Sequence, residues 1–497
     1  MTSCYVPRRY IMILFSHFGF FIVYALRVNL SVVLVAMVNS TYANVDNSDP
    51  ECRSTDTNVT AAEYNGGEFN WNQNQQGIIL SSFFYGYLLT QVPGGWLSMK
   101  FGGKIVLGLG VLGTCVLTIL TPLAARTSIY WLIVVRVLEG FGEGVTFPAM
   151  HSLLAQWAPP EEISRMAVIA YSGMQTGTIV SLPLSGVLAD SSFLGGWPSA
   201  FYVLGAVGCV WFLFWMVFIY DGPENHPSIS NVERLYITKS HNNSSSDTKS
   251  TKIPWSHILT SRPVWAIMIG LFSHCWVWYM LLTGLPSYFS EVLDFKLKNN
   301  GFLSALPYLS SFVVQQIGGW FADYLRKNWI STTAARRLAG ILAFYPSAGF
   351  LLLVSYAGCD QIALSVGYLV LAVTFITLNQ IGLICSQVDI APRYVGIIMG
   401  LANSAGTIAG CITPSVTGYF TNEHPTREQY RKVFMIAASI CVIGGTFCNV
   451  FVSGELQPWN DIYHDEENFN GSDEEQVLIN SSNSINDDEL VDNYVRT

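Results

Sequence analysis

Apolar residues run along this chain in long blocks separated by short polar stretches. The blocks fall at approximately 10–38, 76–98, 104–125, 130–154, 166–189, 199–220, 264–288, 301–322, 337–357, 361–384, 394–418 and 432–453. Each approaches the roughly 20 residues a helix needs to cross the hydrocarbon core of a bilayer. Ala200 to Tyr220 contains no charge at all. The pattern predicts an all-α membrane protein with twelve transmembrane helices in two six-helix halves, at 1–220 and 263–454. A polar linker at 221–262, containing HNNSSSDTKS, joins them and reads as flexible. The first block follows Arg8-Arg9 but is too long for the apolar core of a signal peptide and lacks a small-residue cleavage pattern. It therefore reads as a retained helix, and an even number of crossings puts both termini on one side.

Composition sharpens this picture. Of 497 residues, 51% are hydrophobic and only 12% charged, against about 25% charged in soluble domains. A disordered, nucleic-acid-binding or ordinary cytosolic protein is excluded. The net charge of −9 belongs to the tail: residues 455–497 hold 12 acidic residues against one Arg, leaving 24 basic and 22 acidic elsewhere. That tail is too polar to bury a core and reads as a solvated, disordered extension.

Lys and Arg are retained on the cytosolic side of membrane proteins. Cytosolic termini place 16 of them inside, from Arg8 and Arg9 to Arg393 and Arg496, and only 7 outside. The loop 39–75 then faces a lumen or the exterior, where its sequons at Asn39 and Asn58 could accept glycans; Asn58 is the better acceptor because Asn39 adjoins the membrane. The sequons at Asn242 and Asn243 fall in the cytosolic linker and should be silent.

The halves echo one another. Gln91-Val-Pro-Gly-Gly-Trp96 closes the second block and Gln316-Ile-Gly-Gly-Trp320 the eighth, while Gly177-Thr-Ile179 in the fifth matches Gly406-Thr-Ile408 in the eleventh. A parallel repeat of six helices is one way transporters place a solute site between two halves near mid-membrane.

The informative residues are charges far from either interface, since each costs several kcal/mol unless paired or facing water. Arg27 lies in the first block; Arg136, Glu139 and Glu143 lie in the fourth, at spacings that share one helical face. A structural reading pairs Arg136 with Glu139 or Glu143, but leaves Arg27 without a carboxylate in its own block. A functional reading uses the guanidinium groups to grip a carboxylate, and a Glu held away from water to exchange a proton between compartments. Tyr24, Phe83, Phe84, Tyr87, Tyr171 and Tyr279 could line a cavity, although helix packing alone explains any one of them.

The segments YALRVNLSV, QGIILSSFFYGYLLTQVPGGW, RVLEGFGEGVTFPAMHSLLAQWAPPEE, NNGFLSALPYLSSF and DIAPRYVGIIMGLANSAGTIAG resemble the anion transporters of the major facilitator superfamily, over about Tyr10 to Trp459. That group includes the sialins, the vesicular glutamate transporters and the sodium-phosphate cotransporters, and the sialin branch is the nearest in pattern. The resemblance implies a major facilitator fold. It also implies substrate contacts at Arg27 and Arg136, a cavity lined by Tyr24, Ser31, Phe83, Phe84, Tyr87, Tyr171 and Tyr279, and proton coupling at Glu139 and Glu143. His151 would serve packing or gating. Two departures argue against a dedicated glutamate carrier: His274-Cys275 stands where the vesicular glutamate transporters have an Arg, and Leu80 where they have a His. The acidic dileucine signal near the N-terminus of sialin is missing, but Glu474-Glu-Gln-Val-Leu478-Ile479 offers one in the tail, for a sorting adaptor.

Ten cysteines show no metal spacing; Cys52 and Cys359 both fall outside the cytosol and could pair. Neither a cofactor nor a metal is expected, and no enzymatic motif is visible. The leading expectation is a monomeric, proton-coupled organic-anion transporter of lysosomal or vesicular membranes, with acidic sugars or acidic amino acids as solutes. The alternatives are a sodium-driven phosphate or organic-anion carrier at the plasma membrane, and a non-transporting sensor or scaffold signalling through the tail.

Overall fold

The computed structural model describes residues 6–39, 67–159, 162–242, 253–422 and 425–460. Cys52, Asn58, Glu474, Leu478 and Ile479 lie outside the described residues, as does the side chain of Cys359.

The chain folds into helices at Arg8–Met37, Gln73–Phe101, Gly103–Thr127, Ile129–Gly144 with Thr146–Trp157, Ile163–Asp190 and Pro198–Phe218. A second series follows at Arg262–Glu291, Leu297–Asn328, Thr332–Tyr356, Ile362–Ile390, Val395–Thr421 and Arg427–Phe451. These are the first to twelfth spans. The expected fourth span, 130–154, is not one helix: it breaks at Val145, directly after Glu143 and Gly144. Gly144 is obligatory there, because a Cβ would sit 2.1 Å from Thr90 Oγ1 and 2.6 Å from the Tyr87 carbonyl oxygen.

Among the described residues, eight helices are long and apolar enough by themselves to cross a membrane. The second, fourth, fifth and eighth spans are not in that group. The fourth is divided by its break into segments of 16 and 12 residues, and the second, fifth and eighth carry polar residues such as Gln91, Gln175 and Gln315 that bond across the seam between halves.

Local signals define the ends. Asn72 and Gln75 form a reciprocal capping box on the second span, and Ser128 Oγ accepts from Tyr130 N at the fourth. Gly102, at φ +89°, makes the one-residue turn between the second and third spans, where Asp221 Oδ1 caps Lys104 N at 2.8 Å. On the opposite face Glu68 accepts from Arg126 Nε at 2.8 Å and from Trp197 Nε1 at 3.0 Å.

The expected open linker is partly built. Helix Asn231–Asn242 folds back on the first half, and buried Glu233 accepts the backbone N–H groups of Arg8 at 3.0 Å and Arg9 at 3.1 Å. A carboxylate at a helix N-terminus satisfies otherwise unpaired donors and complements the helix dipole. Arg9 also pairs with Glu162, so the linker is tied to the start of the fifth span.

The halves meet mainly through the second span against the eleventh and the fifth against the eighth. Towards the face bearing the 39–75 loop the packing is backbone-close. A Cβ on Gly77 would lie 2.5 Å from the Pro414 carbonyl oxygen, and one on Gly301 2.7 Å from that of Leu182. Ser81 and Ser415 hydroxyls are 2.9 Å apart, and Glu291 accepts from Gln73 of the other half and from Tyr430. Towards the face bearing the termini, Gly396 and Gly400 of the eleventh span meet nothing within 4 Å. The two halves are packed closely on the loop face.

Candidate functional site

Arg27, Arg136, Glu139 and Glu143 are all buried, at 6, 3, 1 and 0% exposure, and all pair. Arg27 Nε donates to Glu143 Oε2 at 2.9 Å, with Nη2 at 2.8 Å from the same oxygen, so the cation that has no carboxylate in its own span takes one from the fourth. Arg136 pairs with Glu139 one helical turn away. Two cations and two carboxylates therefore form two neutral pairs, in place of the two free guanidinium groups that the functional reading of the sequence invoked.

The pairs are held differently. Glu139 Oε1 also accepts from Thr118 Oγ1 at 3.2 Å and Thr121 Oγ1 at 3.1 Å of the third span, which fixes it within one wall of the bundle. Glu143 has the Arg27 guanidinium on Oε2, and Oε1 has no hydrogen-bond partner among the described residues. Arg27 sits in an aromatic cage: its guanidinium carbon is 4.5 Å from the Tyr24 ring centre, 4.8 Å from Phe83 and 4.7 Å from Tyr87. The Phe83 ring is shared, since Arg136 lies 5.2 Å from its centre. Cation–π contacts of about 0.5–2 kcal/mol each hold a guanidinium in a desolvated place without neutralising it. An anion that displaced Glu143 would meet a preformed cationic seat.

The other expected residues divide. Phe84 stacks edge-on against Tyr279 of the seventh span at 4.6 Å, so both stand at the junction between the halves. Tyr171 bonds His151 at 3.1 Å and stacks on Phe147 at 5.4 Å, forming a separate cluster nearer the terminal face. Ser31, one helical turn beyond Arg27, is buried and its hydroxyl donates to the Val28 carbonyl at 2.7 Å, within its own helix.

The structure adds a group that sequence reasoning missed. Gln175 of the fifth span donates to Gln315 of the eighth, Gln315 Nε2 donates to Gln380 Oε1 of the tenth at 2.8 Å, and Gln380 Nε2 lies 3.3 Å from His274 Nε2 of the seventh. His274 Nδ1 lies 3.0 Å from the Ile376 carbonyl, which can only accept, so Nε2 is the acceptor for Gln380. The available signal was three uncharged amides in the middle of apolar blocks, at no shared spacing because they come from three helices.

The sequence pattern of the Major Facilitator Superfamily matches residues 16–414. Human sialin is 44% identical over 454 residues, 91% of this chain and 90% of that protein. Human vesicular glutamate transporter 2 is 39% identical over 464 residues, 92% of this chain and 76% of that one. Among solved structures, a bacterial homologue of the human lysosomal transporter Spinster, in an inward-facing unoccupied conformation, covers 91% of this chain and all of its own with a TM-score of 0.69 at 14% identity. A D-xylose–proton symporter gives a TM-score of 0.64 at 12% identity over 90% of this chain and 99% of its own. At such identities the two solved structures speak to the fold alone.

Proposed function

Because this chain belongs to the Major Facilitator Superfamily, we propose that it is a proton-coupled carrier of organic anions working by alternating access, with acidic sugars of the sialic acid class as solutes. The observation that carries this reading is the Arg27–Glu143 pair, buried in an aromatic cage and joining two spans of one half. A solute carboxylate can take the place of the Glu143 carboxylate on the guanidinium only if the displaced charge is disposed of, because a lone anion in such surroundings costs several kcal/mol. Protonation of Glu143 disposes of it. One anion and one proton then enter together, the cavity keeps its net charge, and the halves can close over it.

On this reading Arg27 is the anion seat. Tyr24, Phe83 and Tyr87 hold it, Glu143 carries the proton, and the Arg136–Glu139 pair keeps the fourth span in register. Phe84 and Tyr279 separate the halves above the site, and Tyr171 with His151 lines the route from the terminal face. We place that face in the cytosol, on the Lys and Arg count of 16 against 7. The loop 39–75 is then luminal, in a lysosomal or vesicular membrane, and a luminal acid store drives export. Glutamate is a weaker candidate because His274 and Leu80 replace the basic residues expected of a glutamate carrier.

The test is Glu143→Gln in proteoliposomes. Exchange of labelled sialic acid against unlabelled should persist, while acceleration by an imposed pH gradient should vanish. A variant still driven by that gradient, or a wild-type protein driven by sodium instead of protons, overturns the proposal.

A further inference from the structure

The amide ladder lies outside the charge chemistry of the site, and its geometry suits a different task. Five helical residues separate His274 from Tyr279, about 7–8 Å of rise, and Tyr279 packs against Phe84 next to the Arg27 cage. The inner end of the ladder therefore lies about one monosaccharide ring along the seventh span from the residues beside the anion seat, towards the terminal face. Gln175, Gln315 and Gln380 are each only partly buried, whereas His274 at the inner end is 2% exposed. The hydrogen bonds run in one direction, from Gln175 through Gln315 and Gln380 to His274 and the Ile376 carbonyl. Gln315 and Gln380 each spend one N–H and one lone pair in the chain and Gln175 one N–H, which leaves every carboxamide a second N–H and at least one lone pair. The middle of the fifth, seventh, eighth and tenth spans contains no charged residue.

We propose that Gln175, Gln315 and Gln380, oriented by His274, form the subsite that recognises the hydroxyl groups of the carried anion. This rests on the anion-carrier reading above and goes further, by naming what selects among anions. A hydroxyl both donates and accepts, as does a carboxamide, whereas a carboxylate only accepts and is served by Arg27. An ammonium group would need a carboxylate at this end, and none stands at this depth in those spans. A polyhydroxylated monocarboxylate fits both ends; an amino acid fits one. The solute would take up the free N–H groups of amides belonging to both halves, since Gln175 lies in the first half and Gln315 in the second.

The experiment measures inhibition of labelled sialic acid exchange by glucuronate and by cyclohexanecarboxylate, which share a six-membered ring and one carboxylate but differ in hydroxyls. Wild type should favour glucuronate at least tenfold. Gln315→Met, which keeps the length of the side chain and removes its polar atoms, should reduce that preference at least tenfold, mostly through weaker inhibition by glucuronate. Gln380→Met gives the same reading if Gln315→Met fails to reach the membrane. Equal weakening of both inhibitors would mean that the ladder only joins the halves, and unchanged inhibition would mean that it does not touch the solute; either result overturns the proposal. A wild-type protein that exchanges no organic anion fails the parent reading instead.

Discussion

The two halves share a backbone plan and divide its chemistry. At mid-depth the first half holds Arg27, Arg136, Glu139 and Glu143, all buried and paired, while the second presents Gln315, Gln380, His274 and Tyr279, with no charge at that level. One wall manages charge and the other offers neutral donors, acceptors and rings. Ion pairs that must be kept or exchanged one for one are safest inside a single rigid half, since a charge left behind when the halves rock apart would be stranded. The neutral wall can separate from its partners at the cost of ordinary hydrogen bonds, a net of about 0.5–1.5 kcal/mol each.

The strongest way to break this division is Arg27→Lys. The ammonium keeps the charge but loses the planar fork and the stacking on Tyr24, Phe83 and Tyr87. Exchange should fall about 100-fold, equivalent to roughly 2.7 kcal/mol, with the protein still at the membrane; flux within a few fold of wild type would remove Arg27 from the anion seat.

Glu139→Gln tests whether the second pair is structural. It leaves Arg136 buried without its counter-ion, and thermal melting of the purified protein in detergent should report a loss of about 3–5 kcal/mol. The apolar double variant Arg136→Met with Glu139→Met should recover most of that stability. If the double variant is as unstable as the single, the pair does more than neutralise itself.

Cysteines at Ser81 and Ser415, whose hydroxyls are 2.9 Å apart, sharpen the mechanical side of the comparison. Oxidative cross-linking of this double variant should trap the loop-closed form and cut transport at least tenfold, with recovery on reduction. Transport that continues in the cross-linked protein would show that the two halves need not separate there.

The smallest effect belongs to Glu68, on the loop face outside the spans. Its hydrogen bond from Arg126 holds the carboxyl below the usual range. A group lowered in the folded state contributes stability that is present above its unfolded value, about 4.3, and is lost as the pH falls through the folded value. Melting of wild type and Glu68→Gln should differ by less than about 1 kcal/mol at pH 5 and above, because the pair is exposed and screened. The two curves should begin to converge as the pH falls below the unfolded value and meet once it has passed through the lowered folded one.

The apolar blocks determined the helix number, the two-half plan and the identity of the buried charges, because a bilayer imposes its length on every crossing and penalises every unpaired ion in it. Position in the sequence also narrowed the partner of Arg136 to Glu139 or Glu143, which share its helical face, and the structure pairs it with Glu139. The partner of Arg27 could not be read there, because Glu143 lies 116 positions away and meets it only when the first and fourth spans pack. The amide ladder is the extreme case: Gln175, Gln315 and Gln380 share no period and come from three helices in both halves. Covalent neighbours and helical period are written in one dimension; which side chains satisfy one another across helices is decided by how those helices pack.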